Sequence, residues 1–266
     1  MGLVETEAIV LRTYNLAEAD KIAVCLTRGG GVRRGVAQGA RRLKSRFGAG
    51  LEPGTEIRLS YYEKEGRELV SIKQTEIHRS RFNLAQESGT LTALTYLCEL
   101  VLEFAPPHEP NETMYRLVNA SLESLATTPH QAEALLRYFE IWMLQIAGFL
   151  PELRVCVECG QPLDDKRKSY LNAENRVRCA DCDRNSGTPV SAEARAQIKG
   201  ARRMPPAEFV QRWEQAPATI RTEMARLTAQ LIERALERQL RVGEKGRILR
   251  HRRAAPGETS PDDQAG

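Results

Sequence analysis

The first 80 residues alternate between apolar and polar positions in five short runs, the pattern of strands with one buried face. The runs are Glu7–Leu11, Lys21–Leu26, Gly31–Val36, Thr55–Tyr62 and Glu68–Ile72. The cluster Gly29–Gly31 stands between the second and third runs and predicts a turn that needs the backbone freedom of glycine. Five strands of this length predict a small barrel, which is either an oligonucleotide-binding (OB) fold or an SH3-like barrel.

After a polar segment from Arg79 to Ser88, apolar residues recur about every 3.6 positions, as on one face of a helix. A first helix is predicted to end at Pro106–Pro107, and a second to begin at Asn111, whose side chain suits the N-cap position. The segment Thr128–Gln131 has the spacing of a capping box and predicts the start of a third helix. We interpret the stripe of this helix as packed core: Leu135, Tyr138, Phe139, Trp142, Ile146 and Phe149.

Helical periodicity returns after Pro189, with Ser191 as the predicted N-cap, and a last amphipathic helix is predicted to run through Leu240. The loop-rich segment that precedes Pro189 has predicted helices on both sides, so it would interrupt a single helical domain. We therefore expect an α+β multidomain chain with these parts: a five-stranded OB-fold barrel at 1–80, a helical domain at 81–151 and 185–250, an inserted four-cysteine zinc module at 152–184, and a disordered tail at 251–266.

Four of the six cysteines form two Cys-x2-Cys pairs with 19 residues between them: Cys156, Cys159, Cys179 and Cys182. This spacing is typical of four-cysteine zinc sites, so we expect one Zn²⁺ rather than disulfides or free thiols. Four thiolates complete a tetrahedral shell and leave no position for water, so the expected role of the metal is structural. Cys25 and Cys98 stand in apolar surroundings and are interpreted as small buried residues.

The net charge of +4 is distributed unevenly along the chain. Residues 1–80 hold 14 Lys and Arg against 10 Asp and Glu, whereas residues 82–150 hold 2 against 8. No acidic residue occurs from Lys21 to Leu51, a stretch that contains eight basic residues. A run of one sign in such a barrel is typical of a track for a phosphate backbone, and arginine suits it because guanidinium can hold phosphate through two hydrogen bonds.

The candidate DNA-binding residues all lie in this stretch: Arg33, Arg34, Arg41, Arg42, Lys44, Arg46 and Phe47. Phe47, together with Tyr61 and Tyr62, is interpreted as a base-stacking face. A second basic group lies between Arg238 and Arg253, and it is the weaker signal because cations at a helix C-terminus also complement the helix dipole.

The sequence contains no motif for nucleotide hydrolysis, serine hydrolysis, zinc-dependent proteolysis or nucleotidyl transfer, and we expect no enzymatic activity. The four histidines are scattered and suggest no acid/base pair. The longest apolar run, Ile141–Leu150, is half of the ~20 residues that a membrane-spanning helix needs. We therefore expect no membrane span and no secretory signal.

The layout resembles the RecO family of bacterial recombination-mediator proteins over about residues 3–250. The segment Gly35–Arg46 and the two cysteine pairs are the most specific part of the resemblance. The other segments that carry it are Glu7–Arg12, Glu18–Lys21, the run from Phe139 through Pro151 into the first cysteine pair, and the C-terminal helix.

This resemblance implies a DNA repair protein that binds single- and double-stranded DNA, anneals complementary strands and works with RecR. It also implies contact with single-strand-binding protein, help in loading RecA, and a cytoplasmic, nucleoid-associated location. Some members of the family lack the cysteines, which implies that the zinc is structural. Two alternatives remain at this stage: a zinc-containing transcription or translation factor without annealing activity, and a scaffold that bridges proteins.

Overall fold

The N-terminal strands close into a barrel in a computed structural model that describes residues 2–64, 66–106, 108–164, 168–184 and 186–236. The strands are β1 (Gly2–Leu16), β2 (Asp20–Thr27), β3 (Gly31–Ala37), β4 (Glu56–Glu63) and β5 (Leu69–Arg79). Their order is β1-β2-β3-β5-β4, and β4 pairs with β1 to complete the ring. Among the strands of the described residues, only β3 and β5 pair in parallel. This Greek-key order is that of the OB fold, which decides between the two predicted barrels.

The middle of β1 is buried on both faces, because one face lines the barrel and the other packs on helices. Ala8 and Val10 belong to the barrel core, whereas Ile9 and Leu11 belong to the helical core. All four side chains are at most 2% exposed. Burial on both faces explains why the centre of this strand is a continuous apolar run rather than an alternating one.

The helical domain is built around α3 (Ala132–Ile146), which packs against α1 (Ser88–Phe104), α2 (Glu112–Thr127), α5 (Ala192–Ala201), α6 (Pro206–Gln215) and α7 (Ala218–Ala235). Two predicted N-caps are confirmed, since Asn111 Oδ1 accepts from the Met114 N–H at 2.9 Å and Ser191 Oγ accepts from the Ala194 N–H at 3.1 Å. Among the described residues, no helix has both the length and the apolar character to cross a membrane.

The predicted capping box at Thr128 is wrong. The hydroxyl of Thr128 donates to the carbonyl of Ser124 at 2.8 Å, because Thr128 ends α2 and bonds back to it. A short 3₁₀ helix, Pro129–Gln131, then leads into α3. The predicted end of the last helix at Leu240, the second basic group and the tail lie outside the described residues.

The cysteine segment contains three short strands and a four-residue helix. The strands are β6 (Ser169–Leu171), β7 (Val177–Cys179) and β8 (Thr188–Val190), in the order β7-β6-β8, and α4 (Ala180–Asp183) follows β7. Because β8 completes this sheet, the module extends to Val190 rather than to the predicted boundary at residue 184. The Ser169 hydroxyl donates to the Val190 carbonyl at 2.8 Å and adds a side-chain bond between β6 and β8.

The barrel and the helical domain are joined by buried and half-buried ion pairs. The guanidinium of Arg81, 1% exposed, donates to the Gly54 carbonyl at 3.1 Å and lies 3.7 Å from Glu56 and 3.6 Å from Glu123. Burial lowers the pKa of Arg81, and the two carboxylates oppose that shift. Arg12 of β1 adds a 2.8 Å ion pair to Glu99 of α1. These contacts fix the orientation of the barrel on α1 and α2.

Candidate metal centre and nucleic-acid interface

The two cysteine pairs lie on two different local structures that face each other. Cys156 and Cys159 lie on a tight knuckle, in which the Gly160 N–H donates to the Cys156 carbonyl at 2.9 Å and Gly160 has a φ of +70°. Cys179 ends β7 and Cys182 lies in α4. The Cys179 N–H donates to Sγ of Cys156 at 3.3 Å, which joins the two halves directly.

The four sulfurs form one compact donor set. All four Sγ atoms lie within 4.8 Å of one another, and those of Cys159 and Cys179 are 3.9 Å apart. A tetrahedral ion with metal–sulfur bonds of about 2.3 Å separates its sulfurs by about 3.8 Å, so the set fits a zinc-sized ion. No disulfide joins any of the six cysteines. The four predicted metal ligands therefore converge on one site that could hold a metal ion.

The backbone around Cys156 favours a thiolate at that position. Burial alone raises the pKa of Cys156, but hydrogen bonds from the N–H groups of Cys159, Cys179 and Glu158 lower it to about 6. Cys182 has a pKa raised to about 12, chiefly by hydrogen bonds with Cys179 and Cys159. Metal binding displaces thiol protons, so the site would load more readily as the pH rises.

The metal module is attached to the second part of the helical domain. The guanidinium of Arg195 in α5, 1% exposed, donates to the carbonyls of Leu163 and Asp164 at 2.8 and 2.7 Å. The guanidinium of Arg234 in α7 donates to the carbonyl of Asn172 at 2.8 Å. Cys156 and Cys179 also belong to the same hydrophobic core as α3. The site is thus placed to hold a loop-rich insertion against the helices.

The basic loop, Gln38–Arg46, follows β3 and is anchored at both ends. Near its start, the Gly39 N–H donates to Oδ1 of Asp20 at 2.7 Å and the Arg41 N–H donates to the Ala19 carbonyl at 2.9 Å. Just beyond its end, Phe47 is buried in the barrel core. The loop is therefore pinned between the β1–β2 turn and the barrel interior.

Five basic side chains are exposed on this loop and on the adjacent strand and make no ion pair with a described carboxylate: Arg34, Arg41, Arg42, Lys44 and Arg46. We call them the open cations. The guanidinium of Arg41 donates to the Ala17 carbonyl at 2.9 Å, and that of Arg46 lies 4.9 Å from the centre of the Phe47 ring. Neither contact neutralises the charge, so the set presents a concentrated positive field.

An apolar row lies on the outer face of the barrel beside the basic loop. Tyr14 of β1 pairs with Ile22 of β2, which pairs with Val36 of β3. Their chain neighbours Ala23 and Ala37 line the barrel core, so this row faces outward. Tyr14 is 37% exposed. The face of strands 2 and 3 and the loop between strands 1 and 2 bind oligonucleotides in OB folds, so Tyr14 offers a base-stacking surface there.

Comparison with known proteins accounts for both parts of the chain. Recombination protein O N terminal matches residues 1–81, and Recombination protein O C terminal matches residues 86–244. The DNA repair protein RecO of Koribacter versatilis is 35% identical over 239 residues, which cover 90% of this chain and 96% of the relative. The chain belongs to the RecO family. The DNA repair protein RecO of Bifidobacterium adolescentis is 38% identical over 174 residues, or 65% of this chain and 70% of the relative.

In this RecO family member, Arg33 is not one of the open cations, and its predicted contact with DNA stays a prediction that its partners within the protein do not favour. Its side chain is 12% exposed, its Nε lies 3.7 Å from Oε1 of Glu63, and its Nη1 contacts Nδ1 of His108. Arg33 of β3 pairs with Cys25 of β2, which belongs to the barrel core, so Arg33 points to the opposite side of β3 from Arg34. Its charge is already engaged at the end of the barrel.

The structure also places Phe47 in the barrel interior, away from any surface on which a base could stack. The ring is 3% exposed and packs in the barrel core, as does Tyr61 at 2%. Burying these rings stabilises the barrel more than exposing them would, because each removes a large apolar surface from water. Tyr14 was missed because the predicted first strand ended at Leu11, whereas β1 continues to Leu16.

Proposed function

We propose that this protein binds single- and double-stranded DNA through the basic loop and the adjacent outer face of the barrel, and that it anneals complementary strands. The observation that carries the proposal is the group of open cations on an anchored loop beside an exposed aromatic ring. Membership of a family of DNA repair proteins supports it.

The annealing step is non-enzymatic in this proposal. Two strands repel each other through their phosphates, and the open cations reduce that repulsion at the surface where the strands meet. Affinity comes mainly from the release of counterions, so binding weakens steeply as salt rises and depends little on sequence. Bases stacked on Tyr14 would remain available for pairing along their Watson–Crick edges.

We infer that the four cysteines hold one structural Zn²⁺. The sulfur-only donor set suits zinc, and four thiolates complete the tetrahedral shell without a catalytic water molecule. The module packs against α5 and α7, whereas the barrel packs against α1 and α2. Zinc therefore stabilises the helical domain at a distance from the basic loop.

The protein partners in this proposal are RecR and single-strand-binding protein, with RecA loaded as the outcome of the exchange. Support for these partners comes from the family relationship and from charge, since residues 82–150 hold 2 basic against 8 acidic residues and would repel DNA. The helical domain is accordingly the side offered to proteins, and the barrel is the side offered to DNA.

The test is the annealing of two complementary oligonucleotides, bare and coated with single-strand-binding protein, over a salt series. The loop variant changes Arg41, Arg42, Lys44 and Arg46 to Gln. The control variant changes four exposed helical-domain cations to Gln: Arg116, Arg202, Arg203 and Arg226. Both variants lose the same charge, so only position differs between them.

The loop variant is expected to slow annealing at least about tenfold, because it loses about four phosphate contacts, while the control stays within about twofold of the unmodified chain. Equal effects of the two variants would refute the loop as the DNA surface. Tight DNA binding without annealing would instead favour a zinc-containing nucleic-acid factor, and no DNA binding by the unmodified chain would favour a protein scaffold.

A further inference from the structure

The tip of the basic loop carries the most exposed large apolar side chain among the described residues. Leu43 is 102% exposed, and the next in rank, Phe82, is 58% exposed. Arg42 and Lys44 flank it, and both are exposed as well. Leaving a leucine in water forgoes the stabilisation that burial of its apolar side chain provides.

The loop holds this tip in a defined shape. Two consecutive turns meet at Arg42, whose N–H donates to the Gly39 carbonyl at 3.1 Å and whose carbonyl accepts from the Ser45 N–H at 3.0 Å. The side of the loop that precedes Leu43 is tied to the β1–β2 turn through Arg41, and the side that follows is tied to the barrel core through Phe47. Leu43 therefore projects from an anchored support.

We propose that Leu43 is a wedge that inserts between neighbouring bases of a DNA strand held by the open cations. This inference rests on the proposed function and adds to it a residue that acts on base stacking. Apolar side chains, leucine among them, enter base steps in several classes of DNA-binding protein and partly unstack them. Unstacked bases present their pairing edges to a second strand, which is what annealing requires.

Charge and shape favour DNA as the occupant over a protein. The four cations around Leu43 attract a polyanion and place the leucine next to a phosphate chain, whose apolar surfaces are the faces of its bases. The side chain of Leu43 also projects fully into solvent. A partner that buries it must therefore provide a gap between its own groups. A base stack can open in this way, whereas an acidic peptide would need a pocket on this chain to bind in.

The test compares Leu43→Ser with the conservative Leu43→Met, and with Leu3→Ser as the control for loss of an exposed leucine elsewhere on the barrel. The first probe is an adenine-rich oligonucleotide containing 2-aminopurine, whose fluorescence rises when the base is unstacked. The unmodified chain, Leu43→Met and Leu3→Ser are expected to raise the fluorescence at saturation, and Leu43→Ser is expected to leave it close to that of free DNA.

The second probe is affinity for oligo-dT and oligo-dA over a salt series. Leu43→Ser is expected to weaken oligo-dT binding about tenfold, equivalent to ~1.4 kcal/mol. The loss on oligo-dA is expected to be smaller, since the gain from insertion there is offset by opening a stronger stack. The salt slope stays unchanged because no cation is lost.

The outcomes separate this proposal from the one on which it rests. If the unmodified chain does not bind either oligonucleotide, the proposed function fails. If the unmodified chain binds and anneals DNA but Leu43→Ser matches it in both probes, the wedge alone is refuted. If Leu43→Ser keeps both DNA readouts and weakens binding of single-strand-binding protein, Leu43 contacts a protein and the wedge is again refuted.

Discussion

The salt dependence of DNA binding tests which basic residues between Lys21 and Leu51 contact phosphate: those paired with a carboxylate or the open cations. Lys21, Arg28 and Arg33 are each paired with a carboxylate: Glu52 at 3.7 Å for Lys21, Glu7 at 2.7 Å and Glu112 at 2.6 Å for Arg28, and Glu63 at 3.7 Å for Arg33. Arg42, Lys44 and Arg46 come from the same acid-free stretch and make no ion pair with a described residue. The paired triple variant has Gln at Lys21, Arg28 and Arg33, and the open triple variant has Gln at Arg42, Lys44 and Arg46. Both variants lose three formal positive charges.

Each cation that neutralises a phosphate contributes about 0.7 to the salt slope for a single strand, so the open triple variant should lower the slope by about 2. Raising salt from 50 to 200 mM lowers the affinity of both proteins for DNA. The fold loss of the open triple variant should be roughly 15- to 20-fold smaller than that of the unmodified chain. The paired triple variant should leave the slope nearly unchanged, because its charges are already balanced within the protein.

The assay is fluorescence anisotropy of a labelled oligo-dT over a potassium chloride series, with thermal unfolding measured on the same samples. The paired variant is expected to unfold at a lower temperature, because the Arg28 pair with Glu112 joins the turn after β2 to the start of α2. An equal fall in slope for both variants would refute the division of the stretch into paired and open cations. An unchanged slope in the open variant would remove the basic loop from the DNA surface.

Two further predictions concern stability. Arg81→Met is expected to lower the free energy of unfolding by about 3 kcal/mol in urea denaturation, because it leaves Glu56 without its buried partner. The exposed neighbour variant Arg79→Met should lower it clearly less, since water screens its ion pair. Similar losses in the two variants would contradict a buried ion pair at Arg81. Chelation of the metal, or the variant Cys159→Ser, is expected to lower the melting temperature. The affinity for oligo-dT should stay within about twofold, because the module packs away from the barrel. A parallel loss of DNA affinity would instead place the metal centre in the DNA interface.

Local sequence signals accounted for much of this fold. The five strand-like runs, the caps at Asn111 and Ser191 and the four cysteines each depend on residues close together in the chain. Period-two alternation, an N-cap side chain and Cys-x2-Cys spacing are signals that a short window contains. The capping box at Thr128 is the exception among these local signals, since its hydroxyl bonds back to α2 instead.

Arg33 and Phe47, which the structure does not leave open on the surface, depend on partners that lie far away in the sequence. Arg33 is engaged by His108, 75 positions later, and Phe47 is buried by strands that precede and follow it. No local pattern separates an arginine that is paired across such a distance from an open one. β8 was missed for a related reason, since a three-residue strand that contains Pro189 becomes recognisable only through its pairing with β6.

The order in which the chain is made separates the two partners of one buried carboxylate in time. Glu140 in α3 accepts hydrogen bonds from Tyr96, 44 positions earlier, and from Thr228, 88 positions later. At ~5–20 residues per second, α3 waits roughly 5–20 s for its last partner to leave the ribosome. The four cysteines have all been added by residue 182, well before α7, so a metal bound at that stage shortens the free loop that α7 must close to reach α3. A bound metal would thus lower the entropic cost of closing the helical core, while the rate of synthesis sets when α7 can arrive.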